Sequence, residues 1–240
     1  MTQLRIAVFS DIHANILALN RVLHEIEKES FDVVYCLGDL VGYGPRPNET
    51  IETMKNAGIQ IVMGNYDDGV GYERGDCGCA YVTEEEKLDG KRSIEWTTEQ
   101  VTLQNKEYLR TLHEKIEFKA NGYRILLVHG SPRRINEYLY EDRPVKSLQR
   151  MFESVDADIM ICGHTHKPYH RIVNGTHIIN DGSVGKPKDG DPRACYAAIE
   201  LGNTISVEFR RVEYPIAPVA KEIIESGLPR AFADALLTAG

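Results

Sequence analysis

The sequence predicts an α/β fold, and three observations predict it. Apolar runs of strand length recur at residues 6–9, 33–37, 59–63, 125–128 and 159–162. Helical stripes separate the first three, and a strand-helix-strand-helix-strand order implies parallel pairing. After residue 166 the pattern changes to strand pairs around tight turns, which implies antiparallel hairpins.

The elements follow in order. Residues 15–29 read as a helix, with Ile16, Leu19, Val22, Leu23 and Ile26 on one stripe. Residues 32–37 form the second strand. Residues 47–57 form a second helix, opened by Pro47 at a position where proline is tolerated. Residues 59–63 form the third strand. Residues 67–122 interrupt the rhythm as an insertion, with helical patterns at 84–97 and 103–113. It either caps the site or covers a sheet edge. Strand character returns at 123–128, and Val145, Leu148, Met151, Phe152 and Val155 stripe a further helix. Residues 169–173 and 177–179 flank Asn174-Gly175, and 194–201 and 205–212 flank Gly202-Asn203. Two short helices follow from Pro218.

The chain has 240 residues, and no Pro/Ser/Gly-rich linker divides it. A single domain over 1–240 is expected, because the chemistry-bearing motifs span residues 11–166 and must converge. Its 28 basic and 36 acidic residues give a net charge of −8, which argues against gripping long nucleic acid. Small nucleotides remain compatible, since bound metals reverse the local sign. The N-terminus Met1-Thr2-Gln3-Leu4-Arg5 shows no signal-peptide pattern, and no apolar run approaches membrane-spanning length. A cytoplasmic protein without membrane partners is expected. Of the five cysteines, Cys36, Cys162 and Cys195 sit in apolar runs, while Cys77 and Cys79 form a C-x-C. Two thiols do not complete a zinc site, so the pair is expected to be a local structural feature.

The motifs lie where strands end. Ser10-Asp11-Ile12-His13 and Gly163-His164-Thr165-His166 each place two ligand side chains two residues apart. On an extended backbone such residues face the same way. Gly38-Asp39, Gly64-Asn65-Tyr66-Asp67 and His129-Gly130 each follow an apolar run. Asp11, His13, Asp39, Asn65, His129, His164 and His166 are too many ligands for one tetrahedral zinc. They suit two ions sharing a carboxylate. Mixed nitrogen and oxygen ligation favours Mn, Fe, Zn, Co or Ni over Ca or Mg, and paired metals serve phosphatases, nucleases and some peptidases. His24 and His113 read as helix residues without a site role. His170 and His177 lie on the hairpin.

The order D-x-H, G-D, G-N-x-D, H-G, G-H-x-H resembles the calcineurin-like metallophosphoesterases, in their bacterial and archaeal phosphodiesterase-type branch. Similar features continue through Asn180-Asp181-Gly182-Ser183-Val184-Gly185. The resemblance implies a two-sheet β-sandwich core flanked by helices, a four-layer α/β/β/α arrangement. It implies that one metal takes Asp11, His13 and His166, a second takes Asn65, His129 and His164, and Asp39 bridges both. A water or hydroxide between the ions would be the nucleophile. Asp39, Asn65, Tyr66, Asp67 and His129 become the catalytic set.

The sequence departs from the family pattern at Tyr66, where many relatives carry a histidine near the leaving group. Tyr66 is expected to face the site as a weak acid, with Asp67 orienting its loop. Asp181 stands where relatives often have proline. Asn15 reads as a helix cap with a possible phosphate contact. Arg46, Arg133, Arg134, Lys186 and Arg193 are candidate substrate contacts, and the Gly182–Gly185 loop is a candidate source of backbone N–H groups. The implied activity is that of a metal-dependent phosphodiesterase or nucleotide hydrolase acting on a small phosphate ester. Similar proteins hydrolyse dinucleoside polyphosphates or cyclic nucleotides. The alternative is an inactive scaffold for partner proteins.

Overall fold

The computed structural model describes residues 3–153 and 155–240; Met1 and Thr2 of the N-terminal motif lie outside them. Among these residues ten strands form two five-stranded sheets. The first runs β10 (Ile205–Val212), β9 (Ala194–Leu201), β1 (Leu4–Phe9), β2 (Val33–Cys36), β3 (Gln60–Ile61). The second runs β4 (Ile116–Ala120), β5 (Tyr123–Leu127), β6 (Ile159–Cys162), β8 (Thr176–Asn180), β7 (Tyr169–Val173). β1, β2 and β3 are parallel, as are β5, β6 and β8.

The apolar runs are continuous because both faces of these strands are buried. Alternation along β1 sends Ile6 and Val8 inward, where they join Leu37, Ile125, Leu127, Ile159 and Ile161 between the sheets. Ala7 and Phe9 point outward to Leu19, Val22, Ile51 and Met54 of α1 (Ile16–Lys28) and α2 (Pro47–Ala57). α7 (Ile216–Glu225) and α8 (Arg230–Thr238) complete that layer through Val219, Ile223 and Phe232. On the far side Leu126, Met160 and Cys162 meet Leu148 and Met151 of α6 (Val145–Phe152). Each fully buried aliphatic side chain stabilises the fold by about 1.5–3 kcal/mol. The result is the expected four-layer sandwich. Among the described residues no helix is long and apolar enough to cross a membrane.

The third strand is shorter than expected. Gln60–Ile61 pairs with β2 and Val62 N–H still donates to Cys36 O at 2.8 Å, after which Met63 N–H turns to His113 O at 2.7 Å. A seven-residue helix, α3 (Asn65–Gly71), begins at Asn65 and was not foreseen. The insertion holds α4 (Glu84–Gln100) and α5 (Leu103–Leu109). It ends before residue 116 rather than at 122. Asn121 at φ +48° and Gly122 at +86° make the turn that pairs β4 antiparallel with β5. α4 joins the outer helical layer: Ile94 packs with Tyr66, Val70 and Leu109, and Trp96 Nε1 donates to Ser226 O.

The ends of β2 and β3 nearly touch just beyond the sheet. A Cβ on Gly64 would stand 2.1 Å from the Asp39 backbone nitrogen and from its Oδ1. Gly64→Ala is therefore expected to cost about 1–3 kcal/mol through overpacking, read as a lowered urea midpoint with unchanged slope.

Candidate metal centre

Every ligand predicted from the sequence converges at one edge of the sandwich, but not for the reason extended geometry suggests. Asp11, His13, Asp39, His164 and His166 have φ values of +52°, +49°, +52°, +65° and +59°. These are left-handed conformations, each costing about 1–3 kcal/mol in a non-glycine residue. The side chains are aimed by kinks after the strands end. Cross-chain bonds hold the kinks: Asp11 N–H to Gly38 O (2.9 Å), His13 N–H to Asp39 O (3.0 Å), and Gly163 N–H to His129 O (2.9 Å). The loop after Asp181 clasps the same place, with Val184 and Gly185 N–H donating to Ser10 O and Asp11 O at 3.0 and 2.9 Å. Those N–H groups are thus committed and do not face a substrate.

Two clusters result, Asp11/His13/His166 and Asp39/His129/His164, and within each the ligand atoms lie within 4.8 Å of one another. Asn65 belongs with the second, since its Oδ1 stands 2.9 Å from His129 Nε2. His13 Nδ1 faces Val41 O at 3.1 Å and His166 Nδ1 faces Lys186 O at 2.5 Å. Carbonyls only accept, so both Nδ1 atoms carry the proton and both Nε2 atoms present lone pairs. Those two Nε2 atoms stand 3.1 Å apart. His129 repeats the pattern: Nδ1 donates to Leu37 O at 2.7 Å, leaving Nε2 to face His164 Nδ1 at 3.2 Å and Asn65 Oδ1. Asn65 Nδ2 donates to Cys77 O (3.0 Å) and Cys79 Sγ (3.2 Å), which fixes its oxygen inward. Asp11 Oδ1 and His164 Nε2 are buried without a hydrogen-bond partner. Acceptors packed against acceptors are repulsive unless a cation lies among them. The donor set therefore fits divalent metal, and the outward N–H bonds are those that orient metal-bound imidazoles.

The electrostatics agree. Burial lowers His13, His129 and His164, and brings His166 down to about 4, so the rings are neutral ligands at pH 7. Burial, then the Asp11 and Asp67 charges, push Asp39 well above the carboxylate range. Asp39 Oδ2 lies 3.7 Å from His13 Nε2 and 3.5 Å from His129 Nε2, within reach of both clusters. Its Oδ1 accepts from Tyr66 N–H at 2.8 Å. Ser10 Oγ stands 2.6 Å from Asp11 Oδ2 and 2.8 Å from Asp181 Oδ1. One hydroxyl proton serves one carboxylate. The Ser10 hydroxyl therefore donates to one of the two carboxylates at a time, and burial, then the Asp11 charge, push Asp181 well above the usual carboxylate range.

The oxygens of Asp67 accept from Leu40 and Gly64 N–H, both at 2.9 Å, tying the two loops together. Tyr66 departs from expectation. Its hydroxyl donates to Ser93 Oγ of α4 at 3.2 Å, its ring is fully buried in the helical layer, and only its backbone N–H serves a ligand. The expectation of a free phenolic acid is corrected, because an α4 acceptor that no local pattern reveals takes the hydroxyl. His170 and His177 bond each other at 2.9 Å on the β7–β8 hairpin rather than joining the centre. Arg46, Arg133 and Arg193 pair with Glu222, Glu137 and Asp191. Asn15 is committed to its cap and to Gly185 O, at 3.1 Å each. Arg134, which is exposed, and Lys186 remain from that candidate set.

Sequence reasoning missed the neighbours supplied by loops. Tyr138 lies over His164 with centroids 4.0 Å apart, and the Tyr43 edge meets His13 at 4.9 Å. The C-x-C pair lies against ligand Asn65, with its sulfurs 2.7 Å apart. Its place is the metal centre's wall and not a remote loop. Cys79→Ala should weaken retention of metal by the Asn65 cluster about tenfold, measured by competition with a chelator. Added Mn²⁺ or Zn²⁺ should raise the melting temperature, since only the native state gathers the ligands. Asp39→Asn should lose that rise without lowering the metal-free melting temperature, because the buried carboxylate is itself a cost.

Residues 4–204 match the family model of the calcineurin-like phosphoesterase superfamily domain. An uncharacterised protein of Methanocaldococcus jannaschii is 33% identical, over 95% of this chain and 96% of that protein. A metallophosphoesterase from Sphaerobacter thermophilus has a similar structure, with TM-score 0.77, 32% identity and 100% of each chain covered. A hypothetical protein from Pyrococcus horikoshii OT3 shares the fold at TM-score 0.86 and 24% identity, over 99% of each chain. By sequence along most of its length and by fold along all of it, this chain belongs to the calcineurin-like phosphoesterase superfamily and is a metal-dependent phosphoesterase.

Proposed function

We propose that this chain hydrolyses a phosphodiester or small nucleotide at two divalent transition-metal ions, drawn from Mn, Fe, Zn, Co or Ni, with Asp39 bridging them. The observation that carries the reading is the position of Asp39 Oδ2, 3.7 Å from a nitrogen of one cluster and 3.5 Å from a nitrogen of the other. Held by these residues, such a pair of ions would supply a nucleophilic water at neutral pH and would offset charge developing on the phosphoryl oxygens. The chain's own groups prepare that chemistry. Tyr66 N–H holds one oxygen of Asp39 so that the other is turned inward. Ser10 holds one oxygen of Asp11 and leaves the other free. The carbonyls of Val41, Leu37 and Lys186 fix three imidazoles by their outer N–H groups.

With its hydroxyl on Ser93, Tyr66 is not poised to protonate a poor leaving group. This supports a diester over a simple monoester. The net charge of −8 supports a small substrate over long nucleic acid. Five free cysteines are in keeping with a reducing cytoplasm.

The test is turnover of bis(p-nitrophenyl) phosphate with added Mn²⁺. Asp39→Ala should lower it by more than about 100-fold, beyond the effect of outer contacts on metal sites, while the chain stays folded. Wild-type turnover by this variant with two metals bound would overturn the bridge. No turnover by the native chain with any of these metals would point to a metal-binding scaffold. Tyr66→Phe should slow p-nitrophenolate and poorer leaving groups equally, because the hydroxyl acts on packing through Ser93. A selective loss with poor leaving groups would restore an acid role.

A further inference from the structure

Two thiols meet in the wall of the metal centre. Cys77 Sγ stands 2.7 Å from Cys79 Sγ, closer than the roughly 3.5–4.0 Å at which nonbonded atoms ordinarily rest. Gly78 between them brings this about. Its φ of +65° turns the chain so that side chains two residues apart converge. The turn is held from both sides: Gly78 N–H donates to Asp76 Oδ1 at 2.9 Å, and Asn136 Nδ2 donates to Gly78 O at 3.0 Å. Cys77 is buried and Cys79 is half-buried. Cys79 lines an open cavity of about 700 Å³ with Tyr81, Thr83, Lys87 and Lys91, so a small solute can reach its sulfur. Cys36, Cys162 and Cys195 are fully buried.

The pair touches a ligand through two of its atoms. Asn65 Nδ2 donates to Cys77 O at 3.0 Å and to Cys79 Sγ at 3.2 Å, and these bonds turn Asn65 Oδ1 onto His129 Nε2 at 2.9 Å. Both acceptors belong to the small ring that a bond between the sulfurs would close. A disulfide needs its sulfurs at about 2.05 Å and a torsion of about 85–100° between them. Closing that ring shifts the Cys77 carbonyl and the Cys79 sulfur together. The Cys79 sulfur also becomes a poorer acceptor, because in a disulfide it carries less negative charge. The Asn65 amide then loses the bonds that aim it.

We propose that Cys77 and Cys79 are a reversible oxidation site, and that the disulfide they form loosens the metal held through Asn65. The oxidant is hydrogen peroxide. Cys79 sulfur takes one peroxide oxygen as hydroxyl, the O–O bond breaks, and the thiol proton leaves with the other oxygen as water. Cys77 sulfur then attacks the Cys79 sulfenic acid. The S–O bond breaks, and the hydroxide leaves with the Cys77 proton as a second water. Two thiols are oxidised to one disulfide, and one peroxide is reduced to two waters. Redox-sensing bonds of this transient kind are the ones that occur in reducing compartments. The inference rests on Asn65 as a metal ligand and is independent of which ester the chain hydrolyses.

The test exposes the Mn²⁺-loaded chain to hydrogen peroxide, removes the excess with catalase, and maps the peptides that alkylate. The segment holding Cys77 and Cys79 should resist alkylation until dithiothreitol is added, while the three buried cysteines stay reduced. Retention of Mn²⁺ against a chelator should fall about tenfold and return with dithiothreitol. In Cys77→Ser the Cys79 sulfenic acid has no partner thiol and goes on to sulfinic acid, so retention lost to the same exposure should not return. Both cysteines open to alkylation after peroxide overturn the site, and this arm needs only the native chain. A cross-link with unchanged Mn²⁺ retention overturns its hold on the metal. Full recovery by Cys77→Ser overturns the part given to Cys77. A cross-link that reversibly releases Mn²⁺ from a chain that turns over no diester sustains the site and sinks the catalytic reading. Diester turnover without the cross-link does the reverse.

Discussion

Lone pairs turned toward one another in a buried space are the constraint on which the rest depends. His13 and His166 bring two unprotonated nitrogens to 3.1 Å, and His129 brings a third to 2.9 Å from an amide oxygen. In water such an arrangement disperses. Here each ring is anchored from behind by a backbone carbonyl, and each carboxylate by a hydroxyl or an N–H. The protein supplies the positioning, and a cation would supply the attraction. That division explains why the ligands sit on strained backbone. Left-handed residues persist only where surrounding structure over-determines them, and here bonds between the loop after β1, the end of β2 and the loop after Asp181 do so.

The sandwich makes this strain tolerable. Parallel β1, β2 and β3 in one sheet, and parallel β5, β6 and β8 in the other, bring their C-terminal ends to the same edge. Both faces of each sheet are buried, so the strand ends are fixed in register while the loops kink. Gly64 shows how tight the tolerance is, since a single methyl there would overlap Asp39. The outer helices act on the site as well as on stability. Ser93 of α4 accepts from Tyr66 Oη–H and from Tyr43 N–H, linking the helical layer to two rings beside His13.

The wall around the ligands divides into an apolar and a charged side. Tyr43, Tyr138 and the cysteine pair shield the imidazoles and set the Asn65 amide. Lys186, whose Nζ stands 4.8 Å over the Tyr43 ring, is pushed down to about 7 by burial and then by the Lys188 charge.

The sequence by itself determined the candidate ligand residues and the run of strands and helices, and its family resemblance implied the sandwich. Metal chemistry needs Asp, Asn and His, and strand ends need apolar runs before them, so both signals are local. It also carried the caps and hairpin turns, down to Pro47–Ala57 and the Asn174-Gly175 turn. It did not reveal β4, whose half-buried alternation is weak until β5 lies beside it, or α3, too short to show a period. Only the tertiary structure decided how the ligands are aimed. Identical i, i+2 spacing sends Asp11 and His13 to one cluster but splits His164 from His166, because left-handed kinks and not strand pleats turn the side chains. It likewise decided that the Tyr66 hydroxyl meets Ser93 and that Cys79 meets Asn65. Those contacts join residues far apart in the chain, and spacing along a sequence carries no information about a partner that arrives from another layer.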